Sequence, residues 1–240
     1  MAVTAIPREV RLVYPDSDGE PMAENTIQYH YIVTIHTGLA ALFSEVPDVF
    51  VAADLFWYPV QGRPDICIAP DVMVAFGRPK GDRGSYKQWE ENGVAPQVAF
   101  EILSPGNTAT EMKKKRKFFD DYGVQEYYEY DPDSGTLDAW LRHGDFFRLT
   151  NITDEWTSPR LGVRFKLEET GELSVFRPDG RKFLDPVEEI ARAEQAESRA
   201  EQAESRAEQA ESRAERLAAK LRELGIDPNE NYGRAENSDH

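Results

Sequence analysis

The chain has 240 residues, of which one is cysteine and four are histidine, and it contains no long apolar run. A lone Cys67 excludes an intramolecular disulfide and any multi-cysteine zinc cluster. It reads as a small core residue in a protein of a reducing compartment. No stretch approaches the ~18 consecutive apolar residues that cross a bilayer, and the opening MAVTAIPREVRLVYPD lacks the apolar segment of a secretory leader. A soluble, cytoplasmic protein with no membrane partner is therefore expected. Basic residues are also scarce, since 28 Lys and Arg stand against 44 Asp and Glu, a net charge of −16. That deficit disfavours broad adhesion to nucleic acid or to an anionic surface, both of which need clustered positive charge. It leaves room for a metal-dependent site acting on phosphates, because a bound cation supplies its own local field.

Hydrophobic residues make up 40% of the chain and aromatics 11%, enough for one substantial core. The C-terminal quarter is organised differently. RAEQAES occurs three times from Arg192 to Ser212 and runs on as RAERLAAKLRELG. Ala193, Ala196, Ala200 and their successors to Leu224 alternate steps of three and four, which predicts a long helix over 186–227. Three readings stay open: a coiled coil joining two chains as a homodimer, a helix that returns against its own globular domain or recruits a partner protein, and a solitary charged helix. An alanine seam buries little area per residue, so association rests largely on Leu217, Leu221 and Leu224. Residues 228–240 read as a disordered tail and 1–23 as an N-terminal arm. The segment from 186 holds only −6 of the net charge, so the body is acidic in its own right.

In the body, residues 24–185, the segment Glu24 to Phe43 spaces Ile27, Tyr31, Ile35, Leu39 and Leu42 as one helical face. Short apolar runs follow: VFVAADLFWY, DICIA, DVMVAF and QVAFEIL. A charged helix TEMKKKRKFFDDYG stops at Gly123, EYYEYD resumes strand character, TLDAWLR with DFFRLT predicts a hairpin, and VRFKLEE and ELSVFRP read as strands. The order predicts a mixed α/β fold with one central sheet flanked by helices.

One residue breaks the pattern of these strands. Glu101 interrupts V-A-F-E-I-L, and an isolated carboxylate in a strand apolar on both faces costs several kcal/mol unless it is paired or ligates a metal. The plain alternative is a buried ion pair. Asp71 opens the strand VMVAF after Pro70, and Asp65, also preceded by proline, shares its parity on an extended segment. On the charged helix Glu111, Lys115, Phe118, Phe119 and Tyr122 share one side, so Lys115 is the lysine placed to reach a carboxylate site. Two carboxylates and a lysine suit phosphodiester hydrolysis: the carboxylates hold Mg2+, and the amine orients the nucleophile and stabilises charge. Asp54 is a candidate third acid, and the loop Gly77 to Gly93 a candidate cover for the site. His30, His36, His143, Trp57, Trp89, Trp140 and Trp156 read as packing or solvent-facing residues.

The ordered strings APDVMVAFGRPKG from Ala69, PQVAFEILSPGN from Pro96 and YGVQEYYEYDP from Tyr122 resemble the Uma-type restriction endonuclease family, assigned to the PD-(D/E)XK nuclease superfamily. The resemblance spans roughly Glu24 to Pro186, and the Ala-rich helix is similar to the coiled coils many members append. It implies a restriction-endonuclease-like fold and a Mg2+-dependent DNA endonuclease, with Mn2+ as a possible substitute. Asp71 then stands at the Asp of the PD motif and Glu101 at the acid of the (D/E)XK element. The main-chain carbonyl of Ile102 becomes a further metal ligand. Where the usual lysine would stand, two residues after the acid, this chain has Leu103. It therefore resembles the variant in which the lysine comes from the following helix, here Lys115. The departure keeps a second function in view, a nuclease-fold scaffold that recruits a partner through its heptads, and a third, a small-molecule phosphate enzyme on the same site.

Overall fold

Asn25 starts the first helix, α1 (Thr26–Leu42), by accepting a hydrogen bond from the Gln28 amide at 2.8 Å. The computed structural model describes residues 12–17, 19 and 21–225, so the expected tail from 228 lies outside the described residues, as does the arm up to residue 11. After α1 come β1 (Val49–Ala53), β2 (Trp57–Tyr58), β3 (Val72–Phe76), β4 (Tyr86–Lys87) and β5 (Val98–Ile102). The second helix, α2 (Ala109–Asp121), leads to β6 (Glu126–Asp131), β7 (Thr136–His143) and β8 (Phe146–Ile152). The elements β9 (Glu155–Thr157), β10 (Arg164–Leu167), β11 (Leu173–Phe176) and α3 (Pro186–Glu223) complete the order. The chain divides into two units, one ending at Pro186 and one beginning at Val187. No helix among the described residues is long and apolar enough to cross a membrane.

The fold is mixed α/β, as expected, but the strands form three sheets rather than one: six strands in the order β1-β3-β5-β6-β7-β8, three as β11-β10-β9, and the pair β2-β4. Within the large sheet β5 and β6 alone run parallel, and all other neighbours are antiparallel. Parallel neighbours need a crossover, and α2 is that crossover. It starts just beyond the C-terminal end of β5, where Thr108 caps it by accepting from the Glu111 amide.

Every residue of β5 is buried, so its side chains alternate between two apolar layers. Val98, Phe100 and Ile102 join the layer built with α1 and the three-stranded sheet, while Ala99 joins the layer built with Phe119 of α2, Trp57 and Tyr86. Glu101 shares the parity of Ala99 and therefore points toward α2.

Several expectations are corrected. The buried face of α1 is Gln28, Ile32, Ile35 and Leu39, and Ile27 is exposed; a straight i+4 stripe drifts around a 3.6-residue helix, whereas alternating steps of four and three hold one face. VFVAADLFWY is not one strand, because Asp54 adopts φ 48° and divides it into β1 and β2. DICIA is not a strand and contributes a single bridge, Ile68 to Trp57. Cys67 is half-buried. Of the loop Gly77 to Gly93, the segment 77–83 is anchored away from the acids. Gly77 and Lys80 bond the carbonyls of Asp48 and Pro47, and the Lys80 amine bonds those of Phe43 and Ser44, at the end of β3 opposite Asp71. Arg78 and Arg83 both clamp Glu91 there, and they hold its carboxyl below the usual glutamate range.

Gly38 lies mid-helix in α1, where glycine is normally unfavourable. Its reason is the buried ring of Phe183, since a Cβ at position 38 would come within 2.2 Å of that ring. Gly38→Val is expected to destabilise the body by about 2 kcal/mol through overpacking, read as a lower urea midpoint. An unchanged midpoint would mean that the Phe183 contact carries no weight.

Candidate active site

Asp71 immediately precedes β3, and Glu101 is the fourth residue of β5. The register pairs Val72 with Phe100, so one step further Asp71 stands across from Glu101 on the α2 face. The Ile102 amide donates to Asp71 Oδ2 at 2.6 Å, which fixes that carboxylate at the strand edge. Lys115, one and a half turns into α2, donates to Glu101 Oε2 at 2.7 Å. The structure thus brings Asp71, Glu101 and Lys115 together, and Ile102 with them. Asp65 does not join. It is exposed and bound to Arg63, because the segment that was to carry both aspartates on one side is not extended.

Burial decides the electrostatics. The Glu101 side chain is 3% exposed and that of Lys115 24%. Burial raises the Glu101 carboxyl above its ordinary range, the charge of Asp71 raises it further, and Lys115 opposes both. Asp71 is likewise raised by burial, with Asp54 adding to the effect, while the Ile102 amide and Lys115 pull it down. For Lys115 burial works to lower the amine, but Glu101 and Asp71 outweigh it and the net shift is upward. A charged Lys115 would by itself favour an ionised Glu101, so the two partners' shifts pull against each other. The consistent assignment is a protonated amine beside two carboxyls that jointly retain a proton toward neutral pH.

The donor set fits a hard divalent cation. Glu101 Oε1 is buried and has no hydrogen-bond partner, an arrangement that buried carboxylates avoid unless something else satisfies the oxygen. Asp71 offers carboxylate oxygen of the same chemical kind. Among the described residues no group of three His, Cys, Asp or Glu side chains is arranged to hold a metal ion, so a third protein ligand would be an uncharged oxygen, of which the Ile102 carbonyl lies beside Asp71 and Glu101.

Gln28 was not singled out in the sequence. It is 7% exposed and its amide donates to the Ile102 carbonyl at 2.9 Å, while its own carbonyl accepts from the Glu24 amide at 2.8 Å. α1 therefore holds the end of β5 from the face opposite α2, and one lone pair of the Ile102 carbonyl is already engaged. The available signal was phase: in the correct 28-32-35-39 register Gln28 is the one polar residue on the buried face. Glu129, which pairs in register with Glu101 on β6, is held by Arg116 at 3.2 Å and by the Tyr127 hydroxyl at 2.9 Å. Arg116 in turn lies over the Trp140 ring. Ser104, just past β5, donates to Glu24. A groove of about 460 Å³ lies beside β1, lined by His36, Phe43, Lys80 and Arg83 among others. Its Arg83 and Lys80 are already bonded to Glu91 and to main-chain carbonyls, so the chemistry is placed at the paired carboxylates.

A crystal structure from Anabaena variabilis, described as a putative nuclease belonging to DUF820, is similar to this chain at 16% identity. It covers 61% of this chain and 81% of its own, with a TM-score of 0.42. No curated protein matches. The model of one family, Uma2, described as "Putative restriction endonuclease", matches residues 4–182. That match takes in both strands that carry the acids and the helix that carries the amine, and the chain belongs to the Uma2 nuclease family.

Proposed function

We propose that the protein is a Mg2+-dependent DNA endonuclease that hydrolyses phosphodiester bonds at Asp71, Glu101 and Lys115. The observation that carries the reading is the state of Glu101: fully buried, one oxygen on Lys115 and the other without a hydrogen-bond partner, with Asp71 across from it. Asp71, Glu101 and the remaining lone pair of the Ile102 carbonyl would hold Mg2+, or Mn2+ in its place. When bound, the ion polarises the phosphate and lowers the pKa of its water.

The chain's own residues do the rest. The Ile102 amide holds Asp71 in place, and Gln28 fixes the Ile102 peptide from behind, so neither acid has to be ordered when substrate arrives. Lys115 keeps its charge because two carboxyls face it, and that ammonium is directed at the place where negative charge develops on the phosphate oxygens. The net charge of −16 opposes nonspecific attraction to DNA, and cleavage is correspondingly sensitive to salt and to metal.

The test is nicking of supercoiled plasmid, and cleavage of single-stranded and branched DNA, with Mg2+, Mn2+ or EDTA. Wild type and Asp71→Asn are compared. The expected result is metal-dependent cleavage that Asp71→Asn lowers by about a hundredfold or more. Equal background in the two proteins would instead leave a scaffold without catalysis.

A further inference from the structure

The charges of α3 are arranged for a second helix rather than for the one that carries them. In the repeat Arg199, Arg206 and Arg213 recur every seven residues on one flank of the Ala and Leu seam, and Glu197, Glu204 and Glu211 recur on the other. In heptad terms the arginines occupy g and the glutamates e. Within one helix, ion pairs form between residues three or four apart. Three and four residues from Arg199 and Arg206 there are only Gln and Ala, and around Arg213 only Gln, Ala, Arg and Leu. Each of the three glutamates has another Glu three residues before it and a further Glu four residues after it. The helix agrees with this count. Arg199 donates to the Gln195 side chain at 3.2 Å, and α3 buries none of its residues. Helices stable on their own use i,i+4 pairs of opposite sign, and over residues 194–215 this one places like charges there instead.

We propose that α3 pairs in parallel and in register with α3 of a second copy of this chain. In a parallel pair each g residue meets the e residue five positions on in the other helix. Arg199 then meets Glu204 of the partner subunit and Arg206 meets Glu211 of the partner subunit, with the same pairs repeated by symmetry. In an antiparallel pair g faces g and e faces e, which sets Arg against Arg and Glu against Glu along the whole repeat. The pattern therefore selects the parallel orientation and identical partners together. The arginine stems lie over the alanine seam and add apolar cover that alanine lacks, and Leu217, Leu221 and Leu224 anchor the far end. Because each helix begins at Pro186, a parallel pair joins the two chains at the same end. The inference stands independently of the nuclease reading.

The test uses the full chain. Sedimentation equilibrium in low salt is expected to show a dimer that weakens as salt is raised. Arg199→Glu with Arg206→Glu, and separately Glu204→Arg with Glu211→Arg, each raise the dimer dissociation constant by about tenfold or more. An equimolar mixture of the two doubly substituted proteins restores a heterodimer, because every g–e contact is again of opposite sign. Orientation is read by Ala196→Cys in a Cys67→Ser background, which cross-links on oxidation when like residues face each other. A monomer at every concentration, a mixture that fails to recover, or a dimer that does not cross-link at position 196 would each overturn the proposal.

Discussion

Glu101→Gln is expected to lower DNA cleavage by about a thousandfold or more and Lys115→Met by about a hundredfold, while only the first abolishes stabilisation by Mg2+. The glutamine is nearly isosteric and can still accept from Lys115, so the fold survives. What it removes is one of two anionic oxygen donors, and charge that holds a cation contributes several kcal/mol to a phosphoryl transition state. Loss of a single preorganised donor facing developing charge costs about 10²- to 10³-fold in rate. Lys115→Met leaves both carboxylates in place and removes the cation that competes with Mg2+ for them. Metal should therefore raise its melting temperature at least as much as it does in wild type. Breaking a buried ion pair ordinarily costs about 3–5 kcal/mol. Here the cost is smaller, because Lys115 is partly exposed and Glu101 can take up a proton instead. Plasmid cleavage rates, and thermal melts with and without Mg2+, separate the two substitutions. Wild-type cleavage by Lys115→Met would remove that lysine from the mechanism.

How far such a site can be read from sequence depends on whether its signal is local. The strand carrying Glu101 was legible because a charge inside V-A-F-E-I-L conflicts with burial on both faces, and the structure buries all of β5. α2 and the hairpin of β7 and β8 carried their own periodicity and turns, and Gly123 ended the helix where expected. Lys115 was placed by helix phase alone, and the same phase hid Gln28: a stripe drawn through Ile27 and Tyr31 puts Gln28 outside the core. Asp65 misled because parity applies only to extended chain, and between Pro64 and Pro70 the backbone turns. The division into three sheets was out of reach, since β4 and β9 have only two and three residues, and β4 exists through a partner 29 residues away. Neither the Ile102 amide on Asp71 nor the clamp on Glu91 leaves a trace in spacing. In α3 the reverse holds: the proposed partner geometry rests on the heptads, and one chain alone cannot display it.

Metal-free protein should lose stability as pH rises through neutrality, and Mg2+ should restore it more at pH 8 than at pH 5.5. Burial, with Asp54 adding to it, carries the Asp71 carboxyl to about 6, and burial with the charge of Asp71 carries that of Glu101 to about 8. In the unfolded chain both lie near 4. A raised value in the folded state means that the fold favours the protonated form. The stabilisation is therefore complete below about pH 4 and is lost as pH rises through the two raised values. The loss amounts to about 2 kcal/mol or more between pH 5 and pH 8, on the order of 5 °C for a chain of this size. Lys115 limits the loss, while Asp54 from the end of β1 and Glu129 from β6 add to it. A divalent ion binds the deprotonated pair and so competes with the proton, which makes its effect small at pH 5.5 and large at pH 8. Glu101→Gln leaves Asp71 without its neighbouring negative charge, so the metal-free variant should melt higher than wild type at pH 8 and respond little to Mg2+. Melts across this range in EDTA and in Mg2+ give the comparison. Parallel curves for wild type and Glu101→Gln would show that the two acids do not share their protons, and the site would then have no need of a cation.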